Sequence, residues 1–172
     1  MYHCIANKMN TTQDLYLLTS DMAIRQLVSH FSDAANLLDA EAFQRLWTED
    51  GVWEIKDPLN KRFEGKSQMA KAVTGMLSQW EFFVQLSPMG VVSIQEDQAK
   101  GRFYINEVAR NKDGTGHYNL GVYEDEFVRV DGNWLFQKRI YHILYLDNGP
   151  KAGQCFPIPH LETINRPHTA FE

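Results

Sequence analysis

Among the side chains in this sequence that can move a proton or stabilise charge are Asp39, Glu107 and Arg139. Asp39 closes one helical pattern and precedes another, so it is a natural cap for the second. In an apolar setting the same carboxylate would have its pKa raised by desolvation, which suits a general base near neutral pH. The two roles are compatible. Glu107 sits in a strand pattern otherwise rich in bulky residues, and a buried Glu needs a partner. Either Arg139 is that partner, across a pocket, or Glu107 stands in solvent near the turn at Asp113. Arg139 has its own alternatives in Glu124, Asp125 and Glu126, as an ordinary cross-strand pair.

His30, His117 and His142 show no metal-ligand spacing with another His, Cys or carboxylate, so no metal is expected. His117, near a turn, is a candidate substitute base. There is no Gly-rich phosphate loop, Cys–His pair or nucleophilic Ser signature, and the expected chemistry uses no cofactor.

These residues need positioning elements. Residues 1–19 read as a loose arm. Ser20 or Asp21 can cap a helix to about Leu38, with Ile24, Leu27, Val28, Phe31, Ala35 and Leu38 on one face. A short helix, Ala40 to Trp47, follows; Val52 to Ile55 is a short strand, residues 58–61 a loop, and a third helix begins after Ser67. Four long strands then run over about 82–95, 99–110, 116–130 and 134–146, with Pro88-Met89-Gly90 as a bulge or kink and Asp131-Gly132 as a hairpin turn. Strict alternation on the last strand sets Leu135, Arg139 and Tyr141 opposite Trp134, Phe136 and Ile140. Helices followed by a strand meander is an α+β arrangement. The core domain is 20–147, and residues 148–172 form a proline-containing tail. Both strand faces carry large side chains, so one face awaits a second subunit, in a dimer or trimer, or else the tail.

The whole chain sets bounds. Its 172 residues suit one domain, and 44% hydrophobic residues suffice for a core. A net charge of -5 without a basic stripe argues against nucleic acid. No apolar run reaches the ~20 residues that span a bilayer. Residues 1–13 lack the apolar region of a secretory signal. Cys4 and Cys155 form no disulfide framework, although a bridge between them is left open; a reducing cytoplasm is the expected setting.

The element order, with LLDAEAFQRLWTEDGVWEI near the start and GVYEDEFVRVDGNWLFQKR near the end, resembles the SnoaL-like family of the nuclear-transport-factor-2-like superfamily over about residues 20–147. The resemblance implies a cystatin-like cone: a curved antiparallel sheet wrapped around the long helix, with a pocket at its open end. Scytalone dehydratase, hexachlorocyclohexane dehydrochlorinase and bile-acid 7α-dehydratase are the similar characterised kinds. In the last two, a catalytic Asp precedes a Leu by seven residues, matched by Asp39 and Leu46. All three place a His on the first long strand, where this chain has Gln85; scytalone dehydratase places an Asp where this chain has Asn36. The family's Asp–His dyad therefore does not carry over.

The resemblance also puts a strand carboxylate at Glu107, in GRFYINE, a catalytic Arg at Arg139, and pocket aromatics at Trp53 and Tyr123. Given those assignments, alternation turns Phe103 inward with Glu107, Asn119 with Tyr123, and Arg139 with Tyr141. The implied activity is a cofactor-independent lyase or isomerase for a small apolar, ring-containing substrate. Asp39 takes the proton, Gln85, Asn119 and Tyr123 orient the substrate, and Arg139 stabilises developing charge. A non-catalytic binding protein or assembly subunit, like the β subunit of an aromatic-ring dioxygenase, is the alternative.

Overall fold

The computed structural model describes residues 11–158. Helix α1 spans Thr11–Asn36, α2 Ala40–Arg45 and α3 Lys66–Leu77. Strand β1 is Trp47–Ile55, β2 Lys61–Glu64, β3 Trp80–Gln95, β4 Gln98–Asn111, β5 Gly116–Val130 and β6 Asn133–Asp147. They form one six-stranded sheet in the order β2-β1-β6-β5-β4-β3. Two helices lead, and after β1, β2 and α3 the four long strands follow in succession, so the α+β class holds. The sheet is mixed rather than purely antiparallel, because β1 runs parallel to β6.

The core forms where α1 crosses the concave face. Ile24, Val28 and Phe31 are almost wholly buried, as the three-and-four spacing requires. Phe31 packs against Phe43, Trp53, Tyr123 and Phe136, with ring centroids 4.7–5.7 Å apart. Such ring pairs add about 0.5–1.5 kcal/mol each beyond area burial.

Four features depart from the sequence reading. First, α1 starts at Thr11, so most of the expected loose arm's second half is helical. Tyr16 anchors it: its hydroxyl donates to the Glu96 carbonyl at 2.5 Å, and the Arg129 guanidinium lies 5.4 Å from its ring. Second, α1 stops before Leu38. The Asp39 N–H bonds the Ala34 carbonyl at 2.9 Å and the Leu38 N–H bonds that of Ala35 at 3.2 Å, with Leu38 at φ 57°. This is a Schellman end. A Leu in the place usually held by Gly hides it from sequence reading, and Leu38 is exposed rather than in the core. Third, α2 ends at Arg45 and Trp47 opens β1, while β2 occupies part of the expected loop.

The fourth departure matters most for function. In β5–β6 pairing, Phe127 faces Phe136 but Glu126 faces Lys138, so Gln137 is an extra residue. This bulge resets the alternation. Trp134, Phe136, Arg139 and Tyr141 all end up buried on the concave side, not split between faces. Of the bulge or kink expected near Pro88, the structure has the bulge: Leu86 faces Asn106 and Met89 faces Tyr104.

After β6, the tail crosses the end of β4, where Arg110 donates to the Lys151 and Gly153 carbonyls at 3.2 and 2.7 Å. Cys4 and the tail beyond residue 158 lie outside the described residues. No helix among the described residues is long and apolar enough to cross a membrane.

Candidate functional site

Alternation on the middle strands builds the site. Gln85 on β3, Glu107 on β4 and Asn119 on β5 are direct register partners on the concave face. All three are buried. Glu107 accepts from the Tyr141 hydroxyl at 2.7 Å and the Asn119 amide at 3.1 Å, and the Gln85 side chain bonds it as well. Gln85 is held in turn by α1. Its Oε1 accepts from the Ser32 hydroxyl at 3.1 Å, and its backbone exchanges two bonds with the Asn36 side chain, at 2.7 and 3.0 Å. Ser32 and Asn36, one helical turn apart, thus pin the strand residue that faces Glu107. Burial pushes the Glu107 pKa above the ordinary carboxylate value, more than the hydrogen bonds from Tyr141 and Gln85 lower it.

Tyr141 reaches Glu107 because of a glycine. A Cβ at Gly121 would sit 2.3–2.5 Å from the Tyr141 ring and hydroxyl. Only a bare backbone lets the ring lie across β5. Gly121→Ala is expected to displace Tyr141 and cost about 1–3 kcal/mol, measured by thermal unfolding. Gly153→Ala, where nothing lies within 4 Å of the added methyl, serves as the unchanged control. Equal melting of the two variants would refute the role given to Gly121.

Tyr141 stacks on Tyr123 at 4.6 Å and 28°. Beneath that stack is a second polar pair. Arg139 Nε bonds Asp125 Oδ1 at 3.0 Å, with both side chains at zero exposure. The guanidinium carbon lies 3.9 Å from the Tyr123 ring centroid, 4.1 Å from that of Phe31 and 4.5 Å from that of Phe136. Burial raises the Asp125 pKa, and Arg139 offsets part of the rise. Arg139 Nη1 and Nη2 and Asp125 Oδ2 are buried without a hydrogen-bond partner. The expected Glu107–Arg139 pair is therefore replaced by two separate arrangements. Glu107 takes neutral partners, and Arg139 takes Asp125, one of the three acids considered for it. Asp125 is inside because it shares strand parity with Tyr123 and Phe127.

The remaining expected residues fall as follows. Trp53 and Phe103 are buried in the aromatic core. The Phe103 ring occupies space that any Cβ at Gly90 or Gly101 would invade, at 2.2 and 2.7 Å. Asp39 is half-buried and caps α2, its Oδ1 accepting from the Ala42 N–H at 2.8 Å. Asp39→Ala is expected to cost about 0.5–2 kcal/mol while Asp39→Asn keeps most of the cap; chemical denaturation separates them. If both lose the same stability, the cap is not what Asp39 contributes.

His117 pairs with Ala109 in register, one layer along the strands from Glu107 and Asn119. It packs 5.3 Å from the Trp80 ring, and burial lowers its pKa. Phe63, Ala72, Trp80 and His117 help line an open cleft of about 680 Å³ between α3, β2 and the ends of β3 and β5. His30 is exposed, and His142 faces Glu124 at 3.3 Å. No group of three or more His, Cys, Asp or Glu placed to hold a metal ion occurs among the described residues.

A cone of mixed sheet closed by a long helix, with polar groups projecting from its concave strands, defines an α+β pocket fold. The chain belongs to the SnoaL-like domain family, whose model matches residues 17–140. Among solved structures it is similar to a type 2 hexachlorocyclohexane dehydrochlorinase (LinA), at 20% identity and TM-score 0.75, covering 86% of this chain and 99% of that one. The LinA-type3 dehydrochlorinase from Novosphingobium barchaimii aligns at 22% identity and TM-score 0.73, covering 85% and 99%. An NTF2-like protein with a cystatin-like fold from Novosphingobium aromaticivorans aligns at 20% and 0.69, covering 81% and 92%. These likenesses establish the fold. None of the curated proteins compared matches the chain.

Proposed function

We propose that this protein is a cofactor-independent lyase or isomerase for a small apolar, ring-containing substrate, with Glu107 as the group that takes a proton from carbon. One observation carries the reading: a buried carboxylate with a raised pKa, held by the neutral donors Tyr141, Asn119 and Gln85 on the strand face that, two residues along β5, presents His117 to the cleft. Two residues along a strand is roughly 7 Å, so a ring entering from the cleft must pass Trp80 and His117 to meet the carboxylate. Three fixed donors hold the carboxylate in one orientation, and its desolvated charge makes it a stronger base than in water. After proton removal, loss of a neighbouring leaving group gives elimination, and return of the proton to another carbon gives isomerisation. Tyr123 and Trp53 belong to the packed aromatic core. The Arg139–Asp125 pair holds the Tyr123–Tyr141 stack from below, a positioning role rather than the direct charge stabilisation first expected of Arg139. Asp39 serves as a cap.

The test is hydrogen–deuterium exchange at carbon, in D2O, over a panel of ring ketones, alcohols and halides. Wild type should exchange at least one of them, and Glu107→Gln should not. Equal exchange by Glu107→Gln and wild type would remove Glu107 from the chemistry.

We also propose that a second copy of the chain covers the convex sheet face, giving a dimer or trimer. Leu86, Val91, Tyr104, Leu120 and Tyr145 are all exposed there. Apolar groups so placed mark an interaction surface. Light scattering after size exclusion should show an oligomer that Tyr104→Lys/Tyr145→Lys dissociates. A monomeric wild type would defeat the proposal, and a stable complex with a foreign chain would favour the assembly-subunit alternative.

A further inference from the structure

We infer that the cleft one strand layer from Glu107 selects a ring that carries an anionic oxygen group, a carboxylate or a phosphate. The inference rests on the reading of Glu107 above and narrows its substrate class. Though the chain carries a net charge of -5, no acid lines this cleft. Its walls hold Lys61, Arg62 and Lys71 together with Phe63, Trp80 and His117.

Secondary structure aims these groups. Lys61 and Phe63 share one face of β2 by strand parity, and the Phe63 ring contacts Trp53 at 5.5 Å. On α3, Gln68, Lys71, Ala72 and Gly75 follow the spacing of a single helical face, which is the face lining the cleft. Gly75 leaves that wall low, since nothing lies within 4 Å of a Cβ built on it.

The cations are not equivalent. Arg62 is tied to Glu64 at 3.0 Å and lies 3.7 Å from Glu54. Lys61 and Lys71 join no ion pair among the described residues. Two uncommitted ammonium groups therefore stand above an aromatic wall, with the Glu107 layer below. The volume, about 680 Å³, is that of a small-molecule site. A ring lies against Trp80 and Phe63, its anionic group at the lysines and its reactive carbon toward Glu107. The like charge of Glu107 disfavours the reverse orientation.

The experiment is calorimetric titration at low salt with 2-naphthoate, 2-naphthyl phosphate and neutral 2-naphthylmethanol. At least one anion should bind wild type about fivefold or more tighter than the alcohol, as expected for two partly screened ion pairs. The tighter of the two anions identifies the oxygen group. Lys61→Gln/Lys71→Gln should reduce the preference, and Lys61→Glu/Lys71→Glu should abolish it. These residues are exposed, so the fold should persist, as circular dichroism checks. Equal binding of the three compounds, no binding of any, or a preference that survives charge reversal would each overturn the inference. Loss or retention of carbon exchange in Glu107→Gln is read separately, so the two proposals fail separately.

Discussion

Glu107→Gln should lower carbon-exchange turnover by about 10²–10⁴-fold, the usual contribution of a positioned general base, while leaving the fold intact. Gln matches Glu in shape and removes a buried charge. The new amide oxygen can keep the bonds from Tyr141 and Asn119, and Gln85 can flip its own amide to accept from the new NH2 while donating to the Ser32 hydroxyl oxygen, so the row has the partners to persist.

The pH dependence makes the test sharper. The folded-state pKa of Glu107 is raised above 4.5 by burial. A group of that kind binds its proton more tightly folded than unfolded. Its stabilising contribution is complete below about pH 4.5 and is lost as pH rises through the folded value. Activity runs the other way, because only the carboxylate accepts a proton. Wild-type turnover should therefore rise with pH over the same interval in which this contribution to stability falls. Glu107→Gln should flatten both trends in that interval. Asp125 adds a stability loss of the same sign between its ordinary value of 3.8 and about 7; it persists in Glu107→Gln and vanishes in Asp125→Asn. A turnover profile that keeps its rise in Glu107→Gln would assign the proton transfer to another group.

The largest expected loss of stability comes from Arg139→Met. It leaves Asp125 buried without its cation, for which the cost is about 3–5 kcal/mol. In a chain of this length that lowers the melting temperature by on the order of 10 °C. Three aromatic rings also lose the guanidinium packed among them. Arg139→Met/Asp125→Leu should recover much of the loss, because a well-packed apolar pair avoids desolvating two charges. Differential scanning calorimetry of the two single variants and the double supplies the coupling energy. Additive losses would mean that the two side chains do not act as a pair.

The fold was largely legible because its signals are periodic. The stripe from Ile24 to Ala35 and the four long strand patterns each repeat often enough to specify a buried face. What escaped reading was local and aperiodic. Thr11–Thr19 carries exposed Leu15 and Leu18, which break the pattern of a core-facing helix. Leu38 takes a left-handed conformation that sequence reading assigns to Gly. Strand β2 has four residues, too few to show alternation.

The site was legible in part. Parity and resemblance together placed Gln85, Glu107, Asn119, Tyr123 and Tyr141 on one face, and they share the concave side. The partners were harder to foresee. Ser32 lies on the buried stripe of α1, yet nothing in its spacing names Gln85 as its partner. Asp125 is the middle member of Glu124-Asp125-Glu126, and a run of three acids reads as a solvated strand end. Its parity with Tyr123 and Phe127 was the available signal. The Glu107–Arg139 expectation failed because distance along a strand is invisible until pairing register is known.

The bulge at Gln137 has an evolutionary consequence. It divides β6 into two stretches read in opposite phase, and Arg139 belongs to the second. A one-residue deletion between Phe136 and Arg139 would remove the extra residue and leave Phe136 against Phe127, Lys138 against Glu126 and Arg139 against Asp125, in unbroken alternation. Arg139 and Tyr141 would keep their places inside, beside Asp125 and Glu107. Gln137 itself is exposed, and its side chain is free to vary. Among relatives of this chain, position 137 should therefore tolerate both substitution and a single-residue gap, whereas a second deletion there would turn Arg139 and Tyr141 outward together: selection acts on the phase of the strand and is nearly blind to the residue that fills the bulge.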